Sequence, residues 1–149
     1  MITVLIDHNI EGQADLLERA LVSEGWIGLS VLRIVTFTEI SLPFETTDQV
    51  VWEFIQQHRM VLLTANRNKD DEDSLQQAIL DQNGPTSYPV VTIAKPDRMV
   101  ERDFRIRCAT RLAEICMEIE KLGNGPSIHS LKKELTVRYA PLVRSWASR

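Results

Sequence analysis

The residues whose types suit chemistry are carboxylates and amides standing where apolar runs stop. Asp7 closes the run 2-ITVLI-6, and the segment 64-TANRNKDDEDSL-75 follows 60-MVLL-63 with two asparagines, two basic residues and four acids. Asp48 stands at the start of a further helical stretch. Oxygen donors of this kind suit a hard cation, Mg²⁺ or Mn²⁺, which keeps several waters and needs only a few carboxylates. Such an ion neutralises phosphate charge and activates water. The candidate ligands are Asp7, Asp48 and Asn66, with Asp70, Asp71 or Asp73 as further acids. Asp7, Asp48, Asn66 and Asn68 form the candidate catalytic set.

Each candidate also has a purely local account. Acids in the first turn of a helix favour its positive end, and Asp71 or Asp73 can cap exposed N–H groups. Asp7 can accept hydrogen bonds from the turn that follows it, although a carboxylate closing an apolar strand is desolvated and needs a partner. Asp48 can act as a helix-start acid, and Asn66 suits a turn with positive φ. Arg67 and Lys69 either contact phosphate or neutralise the acids beside them. Arg98, Arg102 and Arg105 are spaced for one helix face and suit a nucleic-acid backbone. The ordinary account of that stripe is solvated pairing with Glu101 and Asp103. His8, next to Asp7, can reach a metal or a phosphate, but one histidine beside one aspartate does not make a site.

Several chemistries are excluded by pattern. There is no Gly-x-Ser-x-Gly elbow, and 7-DHNIEG-12 after the first strand is no phosphate-binding glycine loop. Cys108 and Cys116, eight apart, form neither a disulfide framework nor a zinc arrangement.

The elements that must position these residues alternate between strand and helix. Ile2–Ile6, Val31–Phe37, Met60–Thr64 and Tyr88–Ala94 read as strands. A helix is expected over Gly12–Glu24, stopped by Gly25. Another runs from a cap at Thr46 or Thr47 to His58, with Val51, Phe54 and Ile55 on its apolar face. A short one covers Asp73 to about Asp81, ending at 83-NGP-85. The longest spans Arg98 to Leu122, with the stripe Phe104, Cys108, Leu112, Ile115, Ile119 and Leu122. Short, continuously apolar strands alternating with helices imply an α/β fold with a mostly parallel sheet of about four strands, covered on both faces. Residues 1–122 form the expected domain. Residues 123–149 form a basic extension, packed on it or trailing it, with a weak amphipathic turn at Ile128, Leu131 and Leu135.

The chain's 149 residues suit one domain with a real core. Net charge is −4, with 44% hydrophobic and 26% charged residues, as in ordinary folded domains. Residues 1–94 carry 5 Lys/Arg and 14 Asp/Glu, whereas residues 95–149 carry 12 and 7. That asymmetry pairs an acidic face with a basic one, either for a polyanion or for mutual attraction within the domain. No membrane span and no signal peptide are expected, since no apolar run nears about 18 residues and the N-terminus lacks a basic region. A reducing cytoplasm is the expected compartment.

In this order the motifs resemble the PIN-like nuclease group, in particular its compact branch of small bacterial proteins, related to the ribonuclease toxins of toxin–antitoxin pairs. The resemblance rests on 4-VLIDHNI-10, 16-LLERALVSEGW-26, 39-EISLPFETTDQVVWEF-54, 60-MVLLTANRN-68 and 88-YPVVTI-93, and covers about residues 1–120. It implies a three-layer, Rossmann-like α/β/α fold and an acidic Mg²⁺ or Mn²⁺ site that hydrolyses RNA. Asp7 and Asp48 match the family's acidic positions. Asn66 and Asn68 stand where its pattern has aspartates, and an amide oxygen can ligate a cation but brings no charge. The resemblance therefore implies either a ribonuclease with a partly degraded site or an inactive RNA- or protein-binding module. An antitoxin-like protein partner and a homodimer are its further implications.

A response-regulator receiver is the competing pattern, through 63-LTA-65, 94-AKP-96 and 39-EISLP-43. It would put Glu39 in the acceptor aspartate's place and leave the chain a βα unit short, so it is set aside.

Overall fold

The computed structural model describes residues 1–65 and 88–122, together with the backbone of residues 135–138. Ile2–Ile6 (β1), Leu32–Thr36 (β2), Met60–Ala65 (β3) and Val90–Ile93 (β4) form a parallel sheet in the order β2-β1-β3-β4. Leu135–Arg138 (β5) adds an antiparallel strand beyond β4. The described helices are Glu11–Ser23 (α1), Asp48–Gln57 (α2) and Arg102–Leu122 (α3).

Both faces of the sheet are dry, which is why its strands are apolar throughout rather than alternating. Along β1 and β3, Ile2, Val4, Ile6, Val61, Leu63 and Ala65 point toward α1 and α3, where Leu17, Leu21, Phe104, Leu112 and Ile115 meet them. Leu5, Met60 and Leu62 point the other way, toward Val51, Trp52 and Ile55 of α2. The expected three-layer α/β/α architecture is therefore present, with two helices on one face and one described helix on the other. Among the described residues no helix is long and apolar enough to cross a membrane.

Local signals set most boundaries. Gly25 takes φ 87°, while its N–H donates to Val22 O (3.1 Å) and that of Trp26 to Leu21 O (2.9 Å). This double bond is the glycine-dependent stop that closes α1. Thr47 caps α2, its Oγ1 accepting the Val50 N–H at 3.4 Å.

The expected apolar face of α2 is present: Val51 and Ile55 are buried, half-buried Phe54 packs against the same core, and Trp52 joins them. Two expectations need correction. The long helix begins at Arg102, not Arg98. Pro96 starts a 3₁₀ turn over Pro96–Val100 that drives Met99 fully into the core, and Glu101 is extended (φ −83°, ψ 124°). Proline favours such a first position, and the extended residue re-aims the chain before α3 starts. Leu135 belongs to an edge strand rather than to an amphipathic turn with Ile128 and Leu131. Ile128, Leu131 and the helix expected over Asp73–Asp81 lie outside the described residues.

Candidate functional site

The chain leaves β1 for β2 on one side and returns for β3 on the other, so β1 and β3 flank the point where strand order reverses. In open α/β sheets the crevice beyond the carboxyl ends of two such strands is where ligands bind. Asp7 follows β1 directly and is only 6% exposed. Thr64, fully buried near the end of β3, donates its hydroxyl to Asp7 Oδ2 at 2.7 Å. The Asp7 N–H continues the ladder to Leu63 O at 2.9 Å.

The other carboxylate oxygen serves the turn. Asn9 N–H donates to Asp7 Oδ1 at 3.3 Å, capping a 3₁₀ turn over His8–Ile10, and His8 Nδ1 stands 3.5 Å from the same oxygen. Both halves of the sequence argument are thus visible: Asp7 caps the turn after it and also has a partner 57 residues away. A buried carboxylate without such donors would cost several kcal/mol, roughly, and these bonds offset that burial.

Asp48 reaches this edge by topology. The loop after β2 leads into α2, and only His58 and Arg59 separate α2 from β3, so α2 runs antiparallel to β3 with Asp48 at the carboxyl end. Phe44 ties that loop down, stacking on the His8 ring at 5.4 Å with 6° between planes. His8 in turn lies against Phe37 at 5.5 Å. Two glutamates not picked out as site residues finish the edge. Glu11 Oε2 accepts the Phe37 N–H (3.2 Å), and Glu39 Oε1 accepts both the N–H and the hydroxyl of Thr36 (3.2 Å each). Glu39, the acceptor position of the receiver comparison, is here a local loop cap.

Asn66, Arg67, Asn68, Lys69, Asp70, Asp71 and Asp73 lie outside the described residues; Ala65, the residue before them, ends β3. The described donors are all oxygens, which fits a hard cation that retains most of its water and takes one or two carboxylates. Asp7 and Asp48 would hold it from this side. Among the described residues no three His, Cys, Asp or Glu side chains stand together in a group able to hold a metal ion.

The arginine stripe does not form as expected. Arg98 sits in the 3₁₀ turn, off the α3 face, with Nη2 2.9 Å from Glu101 Oε1 and its guanidinium 4.7 Å over the Phe104 ring. That pairing holds the Glu101 carboxyl below the usual carboxylate range. Arg105 Nη1 donates to Met99 O (3.0 Å) and Val100 O (3.1 Å), satisfying carbonyls where the 3₁₀ turn ends. Arg102 is exposed at the first position of α3. Pairing with Glu101, the ordinary account of the stripe, therefore describes Arg98. Both cysteines are buried inside α3, and burial pushes the Cys116 thiol well above its ordinary value, so it is not a ready nucleophile.

His8 and Thr64 are the participants that sequence reasoning left aside. A signal for Thr64 existed: it stands where β3 must lie beside β1, with a hydroxyl in an otherwise apolar run. The stack of Phe37, His8 and Phe44 has no local signature, because it joins three separate segments. No protein-family model, no curated protein and no solved structure matches this chain.

Proposed function

We propose that the chain is a PIN-like domain whose carboxyl edge, centred on Asp7, cleaves RNA with the help of Mg²⁺ or Mn²⁺. The single observation that carries the reading is a buried carboxylate at the strand-order reversal, anchored by the neighbouring strand through Thr64. Ordinary turn capping needs one carboxylate oxygen; the bond to Thr64 fixes the other and so orients the whole group. A hard cation at this edge would neutralise phosphate charge and supply an activated water. The protein's own part is to hold Asp7 aimed through Thr64 and Asn9, and to bring Asp48 to the same end of the sheet. The sequence candidates for further donors in this reading are Asn66, Asn68 and one of Asp70, Asp71 or Asp73, and those for phosphate contact are Arg67 and Lys69.

A second reading is favoured by a specific feature. Both Asp7 oxygens already have protein donors, and the family's next two acidic positions are the neutral Asn66 and Asn68. On that reading the fold persists as an RNA- or protein-binding module, with an antitoxin-like protein or a second copy of the chain as partner.

Calorimetric titration with Mn²⁺, followed by incubation with a mixed RNA pool, separates the two. The nuclease reading expects cleavage that requires Mn²⁺ or Mg²⁺ and disappears in Asp7→Asn, while the variant's melting curve shows that it remains folded. Absence of Mn²⁺ uptake at millimolar concentration selects the binding module.

A further inference from the structure

We propose that the amino end of the sheet holds a phosphate site, formed by Arg33 and Arg59 on either side of Thr3 and sized for one small phosphate ligand. It lies at the far end of the strands from Asp7 and stands apart from the nuclease reading.

The strand register brings the two arginines together. Thr3 of β1 is in register with Arg33 of β2 on one side and Met60 of β3 on the other, and Arg59 directly precedes Met60. Two strand spacings put the backbones of Arg33 and Met60 about 10 Å apart, within the joint reach of two arginine side chains. Arg33 is already turned inward, its Nε donating to Thr3 Oγ1 at 2.9 Å. Thr3 and Arg59 line a cleft of about 380 Å³, to which Tyr88, Met1 and Glu120 also contribute. That volume suits a small ligand. Glu120 is engaged by the Met1 ammonium at 3.1 Å, so the charge left for a ligand is that of the arginines.

Neither guanidinium pairs with a carboxylate among the described residues, although residues 1–94 carry 14 Asp/Glu against 5 Lys/Arg. Arg59 also stands where another residue would be more stable. It takes φ 56° in the link between α2 and β3, a conformation that favours glycine. The helix dipole favours a cation anywhere near the end of α2, so it does not account for arginine at the left-handed position. The Thr3 hydroxyl accepts from Arg33 and keeps its own hydrogen to donate. Two planar guanidinium forks and a hydroxyl form the donor set of an oxyanion, and the fork matches the geometry of phosphate oxygens. Two positive charges without an acid of their own favour a dianionic phosphate over a single carboxylate.

Calorimetric titration at constant ionic strength tests the site, with inorganic phosphate and ribose 5-phosphate as probes. Wild type should bind at least one of them saturably at millimolar concentration or below. Arg33→Gln and Arg59→Gly should each weaken binding about tenfold, the loss expected for a charge-assisted bond. Arg59→Gly relieves the backbone at its position, so its loss of affinity is not a loss of folding. Lys121→Gln removes an exposed cation outside the cleft and should leave affinity unchanged. Tighter binding of the sugar phosphate identifies the ligand as an organic phosphate, and equal binding identifies it as free phosphate. No saturable binding by wild type, a loss confined to one arginine, or an equal loss in Lys121→Gln would overturn the proposal.

Discussion

The two ends of the parallel sheet handle polar groups in opposite ways. At the carboxyl end, Asp7 is buried and joined to Thr64 of another strand. At the amino end, the Met1 ammonium meets Glu120 at 3.1 Å, with both groups about half exposed. The connections differ as well. Only His58 and Arg59 link α2 to β3 at the amino end, whereas the loop from 37 to 47 crosses the carboxyl end and carries Phe44 onto His8. A buried charge with donors from distant segments marks an edge that the fold must defend, and an exposed ion pair marks one that it can do without. That difference, more than the number of acids, singles out the carboxyl edge.

The largest effect expected from this contrast is at Thr64. Thr64→Val keeps the shape of a fully buried side chain but removes the donor to Asp7, and should cost about 2 kcal/mol in urea unfolding. A cost below about 0.5 kcal/mol would mean that Asp7 does not depend on its strand neighbour, and the contrast would weaken. The amino end should respond in the opposite direction. Arg59 takes φ 56° in the two-residue link after α2, a conformation that glycine adopts freely. Arg59→Gly should therefore stabilise the chain by about 0.5 kcal/mol in the same assay. The smallest effect belongs to Glu120→Gln, which should change stability by only about 0.3 kcal/mol and less as salt is added.

Much of the fold was legible in the sequence because its signals are local. Continuous β-branched runs name the strands of a doubly covered sheet, Gly25 stops α1, and Thr47 caps α2. Phe104, Cys108, Leu112, Ile115 and Ile119 are all buried as their spacing requires. What escaped depended on partners far away. The helical pattern around Arg98 hides the 3₁₀ turn, which Met99 imposes by seeking the core, although Pro96 was a visible hint. Residues 135–138 are too short to announce a strand and take that form by pairing with β4. At the site, Asp7 stood out as a charge ending an apolar run. The bond from Thr64 and the ring column through His8 arise only when strands and loops from three parts of the chain meet.

The most direct test of the central claim, that the carboxyl end is a cation site built on Asp7, is an NMR titration with Mn²⁺. Its paramagnetism broadens amide signals near the ion and leaves distant ones sharp. The account predicts early, selective broadening of Asp7, Asn9, Asp48 and Ala65, lost in Asp7→Asn, while Ile2, Arg59 and Glu120 at the other end stay sharp. Broadening that begins at the amino end, or that persists unchanged in Asp7→Asn, would contradict it.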